Sequence, residues 1–346
     1  MQVTFWGTRG SIPTPGRTTV RYGGNTSCVQ VRTAGHLFVL DCGSGMRAFA
    51  RDLPSDPRGK VSGTILITHT HWDHIQGYPF FRPLISPENQ FDVCGPAGAP
   101  FGIERILAGQ MAYSYWPVGM EQFAAGVTYR DLGEGVYHLG DAAVTAQYLN
   151  HPAVTLGYRI EADGASIVYA TDHEPFAPVW NRSGGTPGTI DAFLHEGDRR
   201  HVAFVAGADV LIHDAQYTLD EYQARHGWGH SPIEYALDVA QAAGVKHLVL
   251  FHHDPDRTDD ELDRLEAHCR VAMAQHEYDF DVAAALEGET LLLVPRGEAP
   301  ARETGHLEEG AYPEVTWRPA VRVMVVEDDD EVAACLAEAL EEAALA

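Results

Sequence analysis

What this chain lacks narrows its class first. Its 346 residues include only five cysteines, at positions 28, 42, 94, 269 and 335, none spaced as C-x-x-C. That pattern offers neither a zinc knuckle nor a disulfide framework and fits a reducing compartment. Positive charge is also scarce: 24 Lys and Arg stand against 49 Asp and Glu, a formal net charge of −25. A field of that sign repels polyanions, so a long nucleic acid is not the expected partner. A small anion remains compatible, because bound dications dominate the potential around them. No apolar run approaches the ~18 residues of a spanning helix. The opening Met1-Gln2-Val3-Thr4-Phe5-Trp6-Gly7 has no basic n-region or long apolar h-region. A soluble, cytoplasmic protein without membrane contact is expected.

What is present supports a large core, with 45% apolar residues, 13 Phe, 14 Tyr and 6 Trp. From 1 to about 295 short β-rich runs alternate with Gly/Pro turns and a few helical stretches, without an internal repeat. Strands are expected over 3–5, 28–32, 37–40, 210–213 and 247–251. Asp163-Gly164, between runs 158–161 and 166–170, signals a hairpin. Ser231-Pro232-Ile233-Glu234 reads as the capped start of a helix reaching Ala243, with Gly244 beyond its end. A second helix is expected over 259–276. The stretch 296–319 is Gly/Pro/Glu-rich and aperiodic, which predicts a linker. Residues 320–346 then supply one strand, the acidic run Glu327-Asp328-Asp329-Asp330 and a short helix. This tail resembles the opening of a response-regulator receiver domain, cut before the strand that would carry the phosphoacceptor. It is too short to fold alone.

The strongest signal is His69-Thr70-His71-Trp72-Asp73-His74, directly after the apolar run Ile65-Leu66-Ile67-Thr68. Four ligating side chains in six residues at a strand end are hard to explain as packing. Imidazole and carboxylate are the ligands borderline dications prefer. His151, Asp172 and His252 each stand next to a predicted strand, where rigid elements can fix ligands. The expected partition groups His69, His71 and His151 around one ion and Asp73, His74 and His252 around another. Asp172 would bridge them, since a carboxylate can join ions about 3.5–4 Å apart. Two divalent ions are expected, zinc first, with manganese or iron able to use the same donors.

With these residues in view, the chain resembles the metallo-β-lactamase-fold hydrolases. The resemblance runs from Met1 to about Pro295, through Asp41-Cys42-Gly43-Ser44-Gly45, the histidine cluster, His151, Asp172 and His252. It implies an α/β fold, the four-layer αββα sandwich, with 1–295 as the hydrolase domain. Presence of His74, and aspartate rather than cysteine at 172, is closer to the phosphodiesterase branch that includes tRNA 3′-processing endonucleases (tRNase Z) than to β-lactamases. Gly7-Thr8-Arg9-Gly10-Ser11 resembles that branch's N-terminal Gly-rich turn. Leu211-Ile212-His213-Asp214-Ala215-Gln216 and Gly229-His230-Ser231 resemble two of its boxes. The second implies His230 as general acid. Asp214 stands where the family has glutamate, and no basic insertion of the tRNA-gripping kind is evident. The register of 245–252 with the phosphodiesterase pattern selects His252 over His253 as the last ligand.

The function these readings predict is dinuclear, metal-dependent hydrolysis of a small phosphodiester, such as a cyclic nucleotide, by a metal-bound hydroxide. Asp73, His230 and Asp214 are the catalytic candidates: Asp73 orients water and binds metal, His230 protonates the leaving alkoxide, and Asp214 fixes its tautomer. Thioester or lactone hydrolysis of the glyoxalase II-like type is the rival activity. A signalling module acting through the receiver-like tail is the non-enzymatic alternative. Asp41 reads as a turn residue bonding backbone amides. Arg9, Tyr22, Asn25 and Arg47 are candidates for substrate phosphate. The segment 111–117 is open to three readings: substrate lid, homodimer surface or core.

Overall fold

The computed structural model describes residues 1–53, 60–177 and 186–294, and the backbone of 321–325. In chain order its elements are β1 (Gln2–Gly7), β2 (Cys28–Arg32), β3 (Leu37–Leu40), α1 (Met46–Asp52), β4 (Ser62–Leu66), α2 (Trp72–Ile75), β5 (Gln90–Pro96), α3 (Ile103–Gln110), β6 (Gly126–Leu132), β7 (Gly135–Leu139), β8 (Ala142–Tyr148), β9 (Leu156–Ala162), β10 (Ala165–Ala170), α4 (Glu196–Val205), β11 (Val210–Asp214), α5 (Leu219–Tyr222), α6 (Ile233–Ala243), β12 (His247–Phe251), α7 (Asp259–His276), β13 (Asp281–Ala284), β14 (Thr290–Val294) and β15 (Val321–Val325). They build two sheets, one ordered β15-β14-β1-β2-β3-β4-β5-β6 and the other β13-β12-β11-β10-β9-β8-β7.

The sheets pack face to face around Val3, Phe5, Val29 and Phe38 from one and Tyr158, Ile167, Ile212 and Phe251 from the other. Each such large apolar side chain contributes roughly 1.5–3 kcal/mol by leaving water. The outer face of the first sheet buries Phe49 of α1 and Leu107 of α3. The second sheet is covered by Val202 of α4, Leu237 of α6 and Met273 of α7. Helix, sheet, sheet and helix make the αββα sandwich. Strands β11 and β12 are buried along their whole length, the continuous apolar signature of parallel strands covered on both faces.

Strand direction decides where chemistry can gather. β3 and β4 run parallel, as do β10, β11 and β12. The segments after their carboxyl ends therefore collect at one edge of the sandwich, the usual position of a site in α/β sheets. The expected hairpin forms at Asp163 and Gly164, both with positive φ (52° and 71°). α6 starts one residue later than expected. Pro232 is its cap, and the Ser231 hydroxyl donates instead to the carbonyl of His173, 2.6 Å away. Gly244 ends that helix in the left-handed conformation. α7 spans 259–276 as expected and opens with a Thr258/Glu261 capping box.

The expected strand at the start of the tail is β15, which pairs in parallel with β14 at the edge of the first sheet. The expected linker over 296–319 and the rest of the tail expected to resemble a receiver domain lie outside the described residues. In segment 111–117 Met111 is buried, Trp116 packs on Phe80, and Tyr113 and Tyr115 are exposed. Among the described residues no helix is long and apolar enough to cross a membrane.

Candidate metal centre

Every ligand candidate arrives on a strand end or the turn just beyond it. His69 follows β4, His71 precedes α2, and Asp73 and His74 lie in the helix's first turn. His151 follows β8, Asp172 follows β10, and His252 follows β12 directly. Asp41, Asp172 and His252 all hold left-handed backbone, with φ of 60°, 55° and 59°. Such strain in non-glycine residues persists only where surrounding contacts over-determine it, and it clusters at functional sites.

Among the described residues, four sets of donor atoms each lie within 4.8 Å of one another. Two are Asp172, Asp214, His230, His252 and His173, His201, His213, and the other two divide the ligand candidates. His69, His71, His151 and Asp172 offer one set, and Asp73, His74 and His252 another. Asp172 stands between them. Its Oδ2 lies 3.5 Å from His69 Nε2 and 3.8 Å from His151 Nε2. Its Oδ1 lies 3.1 Å from His74 Nε2 and 3.3 Å from His252 Nε2. Asp73 Oδ2 is 3.3 Å from His74 Nε2 and 3.2 Å from His252 Nε2. His71 enters the first group through Nδ1, which lies 3.2 Å from His151 Nε2.

The outward nitrogen of each remaining imidazole is occupied. His74 Nδ1 donates to Asp41 Oδ2 (2.8 Å), His151 Nδ1 to the Gly229 carbonyl (3.0 Å) and His252 Nδ1 to Gln216 Oε1 (3.1 Å). His69 Nδ1 donates to Thr68 Oγ1 (3.1 Å), whose hydroxyl passes the bond to Asp41. These bonds set the tautomer and aim four Nε2 lone pairs inward. His69 Nε2 and His74 Nε2 are buried with no hydrogen-bond partner. Two orphaned lone pairs facing a shared carboxylate fit a pair of cations, since such groups are costly to bury unmatched. Charge points the same way. Burial holds His69, His71 and His151 below the usual histidine range, so they are neutral donors. At His74 burial also opposes charge, but Asp172, Asp73 and Asp41 outweigh it and raise its pKa.

His253 is excluded from the centre: its Nε2 donates to the Ala285 carbonyl 2.9 Å away. The Gly-rich turn acts as a wall. Any side chain at Gly10 would collide with the His252 imidazole, and the Ser11 amide donates to Asp73 Oδ2 at 2.7 Å. Asp41 is buried and does bond a backbone amide, that of Thr68 at 2.7 Å, while also holding His74 and accepting from Tyr169. Beside the second donor group, His230 Nδ1 donates to Asp214 Oδ2 at 2.7 Å, and its ring stacks on His252 with centroids 4.8 Å apart. Burial disfavours the imidazolium, but Asp214 overcomes this and lifts His230 to about 9. Asp214 itself is fixed by the amides of Asp172, Ser231 and Gln216.

Three phosphate candidates are spent elsewhere. Arg9 is buried and donates to the carbonyls of Gly23, Asp254 and Arg257. Tyr22 donates to Asp263, and Asn25 to Glu287. They tie the N-terminal turn to the far end of the chain, and the reason is long-range packing invisible in local sequence. Arg47 is exposed on α1. Two supporting residues escaped sequence reasoning. Gln216 was legible only as part of its box. Glu174, two residues beyond Asp172, accepts from the amides of Gly227 and Gly229 and so holds the loop that carries His230.

A protein-family model described as a beta-lactamase superfamily domain matches residues 36–253. The chain belongs to the beta-lactamase superfamily. Its histidine and aspartate groups are those of a metal-dependent hydrolase of this superfamily, with the donors of a dinuclear site. It is 27% identical over 315 residues to a ribonuclease BN of Cronobacter sakazakii, covering 81% of this chain and 98% of that protein. It is 29% identical over 300 residues to a ribonuclease Z of Exiguobacterium sibiricum, covering 78% and 94%. The fold is also that of the metallo-beta-lactamase fold protein YhfI from Bacillus subtilis, with a TM-score of 0.57, 17% identity, and 84% and 97% of the two chains covered.

Proposed function

We propose that this superfamily member hydrolyses a small phosphodiester, with 1–295 as its catalytic unit. The observation that carries the reading is the split of Asp172, one oxygen toward each donor group, with His230 hydrogen-bonded to Asp214 at the side. His69, His71 and His151 would hold one ion and Asp73, His74 and His252 the other. When bound, two such ions lower the pKa of water and neutralise charge on the phosphoryl oxygens. Zinc suits these N/O donors, and manganese or iron could replace it.

The protein's own groups supply the rest. Asp73, oriented by the Ser11 amide, can accept a hydrogen bond from the attacking water. His230 Nδ1 is committed to Asp214, so the proton available to a leaving alkoxide is on Nε2. Asp214 holds that tautomer and stabilises the charged ring. The relatives named ribonucleases act on phosphodiesters, which favours this over thioester or lactone hydrolysis by the same donors. Their RNA need not carry over: with 24 basic against 49 acidic residues, this chain has little to neutralise a polyanion.

The test is hydrolysis of bis-p-nitrophenyl phosphate by zinc- or manganese-loaded protein beside a thioester, a lactone and a structured RNA. Diester turnover abolished by Asp73→Ala supports the reading. Thioester or lactone turnover alone would move the protein to the glyoxalase II-like type, and RNA cleavage alone would replace the small substrate.

A further inference from the structure

The molecule exposes two tryptophans beside this centre that its own packing does not use. Trp72 is 81% exposed and Trp228 is 62% exposed. Trp6 and Trp116, by contrast, pack on Phe49 and Phe80, and Trp6 Nε1 donates to Gln30. Among the described residues neither Trp72 nor Trp228 stacks on a ring or spends its indole N–H. Singly exposed apolar side chains are ordinary and call for no explanation. This pair differs in its placement and in the stiffness of its backbone.

Both chain segments converge on His151. Trp72 follows His71, whose Nδ1 lies 3.2 Å from His151 Nε2. Trp228 precedes Gly229, whose carbonyl accepts from His151 Nδ1 at 3.0 Å and where any side chain would collide with that ring. His71 is itself exposed, so the centre opens to solvent on this side. Neither backbone is free to swing. Trp72 opens α2, and its carbonyl accepts from the Gln76 amide at 2.7 Å. Trp228 is pinned on both sides by one buried carboxylate: Glu174 accepts from Gly227 at 2.7 Å and from Gly229 at 2.8 Å. The Tyr222 hydroxyl holds that carboxylate in turn, at 2.9 Å. Large flat side chains on fixed backbone lose little entropy when they bind, and their π faces suit planar heterocycles.

We propose that Trp72 and Trp228 form an aromatic rim that stacks a nucleobase carried by the phosphodiester, so that the substrate class is a nucleotide rather than an alkyl diester. This rests on the phosphodiesterase reading above. Base stacking on an aromatic side chain is sequence-tolerant and changes affinity by roughly tenfold or more per ring. The rim would select for a base without reading which one.

The experiment compares binding of adenosine 5′-monophosphate and ribose 5-phosphate to the metal-loaded protein, followed by tryptophan fluorescence and calorimetry. Wild type is set beside Trp72→Ala, Trp228→Ala, the double variant and Trp72→Phe. The nucleotide should bind wild type about tenfold or more tightly than the sugar phosphate and quench fluorescence. Each alanine variant should lose roughly tenfold on the nucleotide and nothing on the sugar phosphate, and Trp72→Phe should keep most of the affinity. Equal binding of the two ligands to wild type would overturn the rim, as would equal loss on both. A double variant that changes only self-association, measured by light scattering, would also overturn it and make the indoles a contact between copies. Turnover of a nucleoside-bearing diester and a dialkyl diester is measured alongside. If neither is hydrolysed while the nucleotide preference stands, the phosphodiesterase reading fails and the rim survives. If both are hydrolysed with equal efficiency and bound without preference, the reverse holds.

Discussion

Asp214 Oδ2 lies 2.7 Å from Nδ1 of His230, and the same carboxylate is held by three backbone amides. The pair is therefore one unit, in which the aspartate fixes both ring orientation and tautomer. His230→Gln is expected to lower kcat about 10²–10⁴-fold on an alkyl diester, the usual contribution of general acid catalysis. The loss should be much smaller on bis-p-nitrophenyl phosphate, whose leaving group departs without a proton. Asp214→Asn should follow the same pattern. Equal losses on both substrates for His230→Gln would remove the general-acid role.

Asp172 presents one oxygen to each donor group, so its substitution should affect both ions. Asp172→Ala is expected to reduce tightly bound metal from two per chain to one or none. Asp73→Ala, which alters one group only, should cost one. Metal analysis after gel filtration measures this directly, and two ions retained by Asp172→Ala would contradict the bridge.

Asp41 belongs to neither group of donors but orients His74 by a direct hydrogen bond and, through Thr68, His69. Asp41→Asn leaves the packing volume nearly unchanged and removes the charge. Losing such a supporting partner typically costs about 10–100-fold in metal affinity. Competition with a chromophoric chelator should detect that loss while circular dichroism stays native. Unchanged affinity would reduce Asp41 to a turn residue.

Behind the site, His173, His201 and His213 form a buried cluster, with His201 Nε2 2.9 Å from His213 Nε2. Burial lowers the pKa of all three below the ordinary histidine value. The unfolded chain takes up protons below about pH 6.5 that the folded chain cannot, so stability is full above that pH and falls as pH drops. Each neutral histidine costs up to about 1.4 kcal/mol per pH unit in that window. Chemical denaturation at about pH 7.5 and about pH 5.5 should show the decline, and His201→Gln should flatten it. Equal wild-type stability at the two pH values would sink this account.

Much of this was legible locally. The run 69–74 identifies metal chemistry because no packing rule places four ligating side chains in six residues. The hairpin at Asp163-Gly164 and the end of α6 at Gly244 are positions where backbone sterics demand particular residues, and both stand as the sequence implies. Local chemistry misled where a long-range partner outbid it. Ser231 looks like a helix cap, yet its hydroxyl serves His173 and its amide serves Asp214. Arg9 looks like a phosphate ligand, yet it is buried, with Nη1 bound to the carbonyls of residues 254 and 257 and Nε to that of Gly23.

The sequence by itself determined which atoms could bind metal, because donor type is a property of the residue, and which runs would be strands, because side-chain alternation and burial are periodic. Only the tertiary structure brings those donors, far apart in the chain, into spatial sets that divide as the sequence pattern leads one to expect. That division depends on the left-handed turn at Asp172, which points its two oxygens to opposite sides, and on parallel strands whose carboxyl ends meet at one edge. It also decided which nitrogen of each imidazole faces inward. That choice is made by partners such as Asp41, Gln216 and the Gly229 carbonyl, brought to the site from 33, 36 and 78 residues away.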